Sequence, residues 1–551
     1  MSEGCAEPLL TSSENIEGVV DDEGTSVTDE CKRVLSIALP ITASQSLSFL
    51  SYLITTAQVG SLGPQALSAL TLGRSIFHVT GLSLVVGIAS GVGTLGGQAY
   101  GAGQYSLVGT VTQRAVLLNL MMCSLIFLAW TQLTSLMEAL GQDPNIATLS
   151  SRYVLSIFPA LVLEAIMNCL QIYLSSQEVT SPLTVVAAVM TLCTPITNYV
   201  LIDRLDMGLD GAALSYNLVN LLGCCVMVGS VWLLTARWQA HDQKTWPSWS
   251  RSSFSGWGQY LKVALPSLAM ICAVWWVFEA VILIAGQGKD AEVQLSVMGI
   301  LFSTHTVVYM INEGFSAASS TRVSNLLGEG RSHRAQGATI VCLILTVTCD
   351  IVAAASFLVF SKPWAQLFSS DEGVVEGTVR SMPWLAAALL IDGTVEVLSA
   401  SLPTLCFRTV EVLSGVLRGS GRQALGFYAN IVSCWIVGMP LAWYWGGLTG
   451  SVGLWQALAA MTVIQALVIG GAVAMFDWPE EARRAQARVE EGAASLHCFS
   501  PLLPDDPCLE SSNATQPKER SILADELIQS KTQRWPHQHH GTHDMIISGS
   551  L

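Results

Sequence analysis

The sequence is short of charge. Of 551 residues only 12% are Asp, Glu, Lys or Arg, while 51% are hydrophobic and the mean hydropathy is +0.50. A water-soluble globule needs more polar surface than this to cover itself, so that class is excluded. Basic clusters are missing too, and without them nothing neutralises phosphates, so nucleic acid is not an expected partner. The 14 cysteines form no CxxC pair and lie mostly in apolar segments; they read as small buried residues rather than a disulfide framework or a zinc site. No metal and no cofactor is expected. The glycine-rich stretch 91–103 lacks the GxxxxGK[ST] pattern of a phosphate cradle, which leaves close helix packing as its use. Met1–Glu30 is acidic and polar, so no cleavable leader is expected. Catalytic constellations are absent as well: no paired His/Asp ligands, and no nucleophile with a base at suitable spacing. No catalytic residue is assigned, and a membrane-embedded enzyme is disfavoured.

Long apolar runs are what the chain does have. Bounded by Gly, Pro or charge, they number about twelve: near 34–57, 66–93, 107–133, 149–174, 181–203 and 209–235, then 258–286, 292–320, 335–361, 380–415, 423–446 and 449–475. Each is long enough to cross a bilayer as a helix, which needs roughly 20 mainly apolar residues. The predicted fold class is an all-α polytopic membrane protein with about twelve transmembrane helices. Tail residues 1–33 and 476–551 carry much of the net charge of −15, and the longer tail reads as mostly disordered beyond a short charged helix. Basic residues set the orientation. Arg237, Lys244, Arg251, Arg322, Arg331, Arg334, Arg418 and Arg422 fall in loops on one side, against chiefly Arg204, Lys289 and Lys362 on the other. Both termini are therefore expected to be cytoplasmic, in a plasma-membrane or vacuolar (organelle) protein.

The chain repeats itself. LSIALP (35–40) recurs as LKVALP (261–266), GQAYGAG (97–103) in outline as SNLLGEG (324–330), and GLDG (208–211) as GLTG (447–450). Six spans per repeat give two pseudo-symmetric six-helix lobes in the same orientation, 34–235 and 258–475, joined by a cytoplasmic loop at 236–257. A substrate site is expected near the midplane between them. Two repeated lobes also favour rocking over a fixed pore. The last repeat pair is about 12 residues further apart than the first two, and TVEVLS occurs twice, at 394–399 and 409–414. Thr394–Arg408 thus reads as a tandem insertion or a gene-model artefact within the tenth span.

Acids inside apolar runs point to function, because a charge at membrane depth costs at least ~2.5 kcal/mol and usually faces a cavity or a partner. Glu279 lies in ALPSLAMICAVWWVFEAVILIAG (264–286), just after Trp275 and Trp276. Carboxylates sharing one desolvated cavity hold protons more tightly, since burial and like charge both oppose ionisation. Competition between a proton and a cation for such a group couples their movements. Trp275 and Tyr309 can present ring faces to a flat organic cation, each contact worth ~0.5–2 kcal/mol, although packing or interface anchoring is an equal use. Glu164 and Asp350 also interrupt apolar runs: Glu164 is a candidate second proton site, whereas Asp350 is expected to pair with a neighbouring helix. His305 is a candidate titrating group, weighed against a structural role.

HVTGLSLVVGIASGVGTLGGQAYGAGQ (78–104), WWVFE (275–279), VYMINEGFSAASSTRVSNLLGEG (308–330), GVLRGSGRQ (415–423) and DWPEEARRA (477–485) together resemble the multidrug and toxic compound extrusion (MATE) transporters of the eukaryotic branch. The resemblance spans roughly 34–486. It implies twelve core helices in two lobes that open alternately, and export of small organic solutes, often cations or secondary metabolites, against inward proton flow. The expected partners are the solute, protons and membrane lipids, with the chain a monomer. Carried over by position, the second acid of the family's seventh span falls on Glu279, while the first is replaced by Val274. The tenth-span acid falls on Phe407 by direct count and on Asp392 once the 15-residue repeat is removed. Gln45, His78 and Asn198 match polar positions of the first lobe, open either to substrate or to helix–helix hydrogen bonding. A lipid or glycolipid flippase of related fold is the alternative, disfavoured by how few basic residues lie within the spans.

Overall fold

A backbone in hydrocarbon must satisfy its own polar groups, and a run of apolar residues does so by closing into a helix. The computed structural model describes residues 26–497, apart from 140, 240–243, 248, 250, 287–290 and 394–409, together with the backbone but not the side chains of 238–239, 251, 291, 391–393 and 496–497. Among the described residues, eleven helices are long and apolar enough to cross a membrane. In chain order the first nine are α1 (Val27–Gly60), α2 (Pro64–Gly101), α3 (Tyr105–Trp130), α4 (Phe158–Ser175), α5 (Ser181–Arg204), α6 (Gly208–Arg237), α7 (Trp257–Ala285), α8 (Glu292–Gly328) and α9 (Ser332–Val359). Then come α10 (Glu372–Gly393) and α11 (Val410–Ser420), followed by the remaining two spans, α12 (Gln423–Thr449) and α13 (Ser451–Ala474). A charged helix, α14 (Trp478–His497), closes the described chain.

Eleven of the twelve expected spans thus appear as continuous membrane-length helices. The tenth, expected near 380–415, is divided between α10 and α11, and Thr394–Arg408 lies outside the described residues. Among the described residues there is no strand. The fold is all-α and polytopic. Large apolar side chains point outward from it, with Leu192 70%, Leu283 68% and Val359 73% exposed, which only a hydrocarbon surround makes favourable.

Inside, buried apolar side chains form three clusters. One draws only on the first half of the chain, from Val59 through Trp130 to Ala213. A second draws only on the second half, from Val277 through Leu385 to Met461. The third joins the halves, packing Val34, Ile41 and Val92 with Leu326, Val412 and Val489.

The repeat seen in the sequence is also a repeat in space. A Cβ on Gly101 would stand 2.9 Å from Asn325 Cα, and one on Gly328 would stand 2.9 Å from Gln98 Cα. The matched glycines therefore admit each other's helices reciprocally, α2 against α8, as a pseudo-two-fold relation requires. This close approach is the use found for the glycine-rich stretch 91–103.

The repeated prolines fall within α1 and α7, as Pro40 and Pro266. Proline has no N–H, so Pro40 leaves the Ser36 carbonyl, four residues back, without its helical donor. Thr180 Oγ1 donates to that carbonyl at 3.0 Å, and Thr184 Oγ1 donates to the Pro40 carbonyl at 2.9 Å. The break in α1 is thereby used to fasten α5 to it.

Candidate functional site

The residues that the first and second halves turn toward each other are of three kinds. Nearest α14 they form a dense polar seam. Arg322, with its side chain 2% exposed, donates to both oxygens of Glu30 (2.7 and 2.9 Å) and to Glu178. Glu178 is held there at φ 60°, a strained backbone for a residue with a side chain. Thr94 donates to the Arg418 carbonyl (2.5 Å) and Gln98 to the Gly419 carbonyl (2.9 Å), tying α2 to α11. α14 lies across this seam: Arg488 donates to Gln98 Oε1 (3.0 Å) and to the Ser420 carbonyl (2.7 Å). Arg422 pairs with Glu481 at 2.6 Å. From α3, buried Arg114 donates to the Ser252 carbonyl (3.2 Å) and to Ser495 Oγ (3.0 Å), anchoring both the inter-half loop and α14.

Further into the bundle, on the second half, is a cavity of about 50 Å³. Trp275 of α7 and Tyr309 of α8 supply aromatic walls; Glu313, Glu411 and Arg418 supply charge; Asn430 and Gln465 supply amides. The arrangement follows from local spacing. Tyr309 and Glu313 are four apart on α8 and so share a face. Glu313 pairs with Arg418 at 3.9 Å. Arg418 also donates to Ser316 Oγ (2.7 Å), whose hydroxyl donates to the Glu411 carbonyl (2.5 Å). Gln465 donates to Asn430 Oδ1 (2.6 Å), and Asn430 to the Met270 carbonyl (2.9 Å), which fixes the amide wall. The charged lining residues are Glu313, Glu411 and Arg418.

Glu279 is not among the residues lining this cavity. It lies one turn beyond Trp275 on α7, where Ser75 Oγ of α2 donates to its Oε2 at 2.5 Å. Next to it, Trp276 Nε1 donates to the Val79 carbonyl at 3.0 Å. These contacts join the halves on the side away from α14. Val274, at the position where the resembling family carries an acid, does line the cavity. Asp392 is at the end of α10 in backbone, and its side chain lies outside the described residues.

The other candidates are placed at several points in the bundle. Asn198 is buried and donates to Thr55 Oγ1 (3.0 Å) and Gln58 Oε1 (2.8 Å), bonding α5 to α1. Gln45 is exposed on α1. His78 opens a π-helical stretch, His78–Leu82, with its ring edge-on to Phe77 at 6.1 Å. His305 is among aromatic rings, 5.3 Å from Phe278, 6.0 Å from Trp455 and stacked on Tyr309 at 6.3 Å. Glu164 accepts from the Tyr216 hydroxyl. Asp350 is fully buried on α9, and the Asn312 side chain of the neighbouring α8 stands beside its carboxyl group.

Three charged residues at these sites were not singled out from the sequence. Glu313 lies inside a motif read for its packing residues, and Glu411 inside a duplicated hexapeptide read for its repetition. Arg74 interrupts the apolar run LTLGRSIFHVTG (70–81), the same signal that drew attention to Glu279.

The MatE family model matches residues 40–200 and 266–405. Protein DETOXIFICATION 13 of Arabidopsis thaliana is 31% identical over 487 residues, covering 87% of this chain and 96% of the relative. Protein DETOXIFICATION 49 of the same plant is 32% identical over 471 residues, covering 84% and 89%. Among solved structures, the crystal structure of the eukaryotic MATE transporter AtDTX14 superposes with a TM-score of 0.76 at 28% identity, over 84% of this chain and 99% of that one. A Vibrio cholerae MATE transporter, VcmN, gives 0.68 at 16% identity over 82% and 99%, a likeness of fold alone.

Proposed function

This chain belongs to the MatE family, which makes it an integral membrane transporter and not an enzyme, and from that premise we propose that it is a proton-coupled antiporter exporting small organic solutes. The observation that carries this reading is the presence of two carboxylates in one cavity. Glu313 and Glu411 line it with Arg418 and the rings of Trp275 and Tyr309. A proton and an organic cation compete for these carboxylates, and the rings favour a flat cation. Because both cannot be held at once, release of one accompanies capture of the other.

The cavity as it stands holds water-sized species only, since drug-sized ligands need about 300–1,000 Å³. The two lobes, 34–235 and 258–475, would therefore part to admit solute, with the seam under α14 closing the cytoplasmic face. Ser75 and Glu279 form the lighter contact across the other face. A carboxylate accepting that hydroxyl at membrane depth is suited to proton-linked opening, and Glu279 takes that role. Asp392 keeps the tenth-span proton role that the family resemblance gives it. Trp275 and Tyr309 line the solute path; Gln45, His78 and Asn198 act in the first lobe chiefly by shaping its helices. Both termini are cytoplasmic, the transporting unit is a monomer in contact with lipids, and the membrane is a plasma or vacuolar one.

The test is uptake of tetraethylammonium into proteoliposomes. An acid-inside gradient should drive accumulation, and dissipating it with nigericin should end it. Equal uptake with and without the gradient would defeat the proposal.

A further inference from the structure

The seam under α14 holds a second cavity, of about 10 Å³, a size that admits one water-sized species. Leu95 of α2, Leu107 and Val111 of α3 and Val489 of α14 make its walls apolar, and Arg114 of α3 and Arg488 of α14 both line it. Gly492 of α14 leaves the room, since a Cβ there would stand 3.0 Å from Leu107 Cδ2. Gln259 of α7 also lines it, with its Nε2 donating to the Arg488 carbonyl at 2.9 Å.

Two guanidinium groups thus share one cavity, and among the described residues no carboxylate stands within ion-pair distance of either. The adjoining acids of α14, Glu490 and Glu491, are exposed. Arg114 is 2% exposed, and every acceptor it meets is uncharged. Its Nε and Nη2 donate to the Ser252 carbonyl and to Ser495 Oγ, while its Nη1 has no hydrogen-bond partner among the described residues. Arg488 uses Nε on Gln98 Oε1 and Nη2 on the Ser420 carbonyl, and its Nη1 is likewise without a partner among them. Burial pushes the Arg488 guanidinium below its ordinary range, against the pull of Glu481.

Like charges in an apolar cavity are poorly screened, and a buried charge left uncompensated is costly. An anion between the two groups turns their repulsion into two attractions and takes up the open N–H donors in charge-assisted hydrogen bonds. Size selects the anion. Phosphate, sulfate and carboxylate each bring several heavy atoms, whereas a halide is a single atom little larger than water.

We infer that Arg114 and Arg488 form a binding site for one chloride ion, which fastens α14 to α3 and steadies the polar seam beneath it. The site is separate from the solute cavity, and binding there does not depend on the transport reading.

The test uses the full-length protein in detergent, with sodium gluconate replaced stepwise by sodium chloride at fixed ionic strength. Chloride should raise the melting temperature saturably, and amide exchange across 488–495 should slow with the same half-saturation. Arg114→Gln should weaken the apparent affinity by about 10- to 100-fold, the worth of hydrogen bonds to a charged group. Arg152→Gln, which removes an exposed pair with Asp210, should leave it unchanged. Gly492→Ala narrows the cavity without altering either charge; it should also weaken chloride binding, and it serves if Arg114→Gln does not fold. The inference is overturned if chloride acts no differently from gluconate, if its effect does not saturate, or if Arg114→Gln or Gly492→Ala keeps the full affinity. It is overturned too if phosphate replaces chloride as an equal, which would make this a site for larger anionic groups. Because neither solute nor gradient is used, failure here leaves the antiport reading standing.

Discussion

Ser75 donates to Glu279 at 2.5 Å from α2 to α7, across 204 residues of sequence. The bond crosses the boundary between the two halves on the side away from α14, where the described polar contacts between them are few. A hydrogen bond to a charged acceptor contributes ~1.5–3 kcal/mol, enough to bias a balance between two conformations. Glu279→Gln is expected to abolish gradient-driven tetraethylammonium uptake while leaving the amount of folded protein unchanged. Ser75→Ala, which keeps the carboxyl group and removes its partner, should slow uptake by about 10-fold, following the same magnitude. Initial rates in proteoliposomes, normalised to reconstituted protein, check both. Undiminished uptake in Glu279→Gln would remove that residue from the mechanism.

On the proposed competition at the cavity carboxylates, one monovalent cation replaces one proton. Exchange of that kind moves no net charge. Tetraethylammonium uptake under a fixed pH gradient should keep the same initial rate when a potassium–valinomycin potential of either sign is imposed. A rate that rises with potential would mean that a further charge, from Asp392 or Glu279, moves in the same cycle.

The seam under α14 is built on a buried ion pair. Removing one partner of such a pair strands the other and costs ~3–5 kcal/mol. Glu30→Gln and Arg322→Gln should each lower the melting temperature by several degrees, while Lys32→Gln, whose exposed pair with Asp29 is at 3.3 Å, should not. Arg488→Ala should act more locally. It frees Gln98 Oε1 and the Ser420 carbonyl, and amide exchange in 94–101 and 415–420 should quicken, by roughly 5- to 150-fold for a loss of ~1–3 kcal/mol. Unchanged exchange there would show that α14 does not hold this face closed.

Much of this arrangement could be read from the sequence, and the reasons differ by residue. The spans followed from apolar runs, because hydrocarbon admits little but helices. The repeats pointed to one close contact: Gly101 and Gly328, paired by their motifs, prove to be reciprocal contacts between α2 and α8. Trp275 and Tyr309 were legible as ring faces and do line the cavity. Glu313 and Glu411 were not, because their surrounding motifs carried another message. Nor was the Ser75–Glu279 bond, since a serine in an apolar helix is ordinary and only the packing of α2 on α7 selects it. Asp350 was expected to pair with a neighbouring helix, and Asn312 of α8 stands beside it.

That last residue gives a prediction of opposite sign. A fully buried carboxyl group with no cation paired to it among the described residues is a liability to stability. Asp350→Leu should raise the melting temperature and leave tetraethylammonium transport intact. Loss of transport in a stable Asp350→Leu protein would place this acid in the proton path instead.

The central claim is that proton and cation compete for the cavity carboxylates. It is tested most directly by proton release: tetraethylammonium is added to detergent-solubilised protein in weakly buffered solution near neutral pH, and a pH indicator records what leaves. The account predicts about one proton released per protein molecule bound, a cavity carboxylate exchanging its proton for the cation, and no release from Glu313→Gln. Saturable binding of the cation with no proton released from the unaltered protein would contradict it.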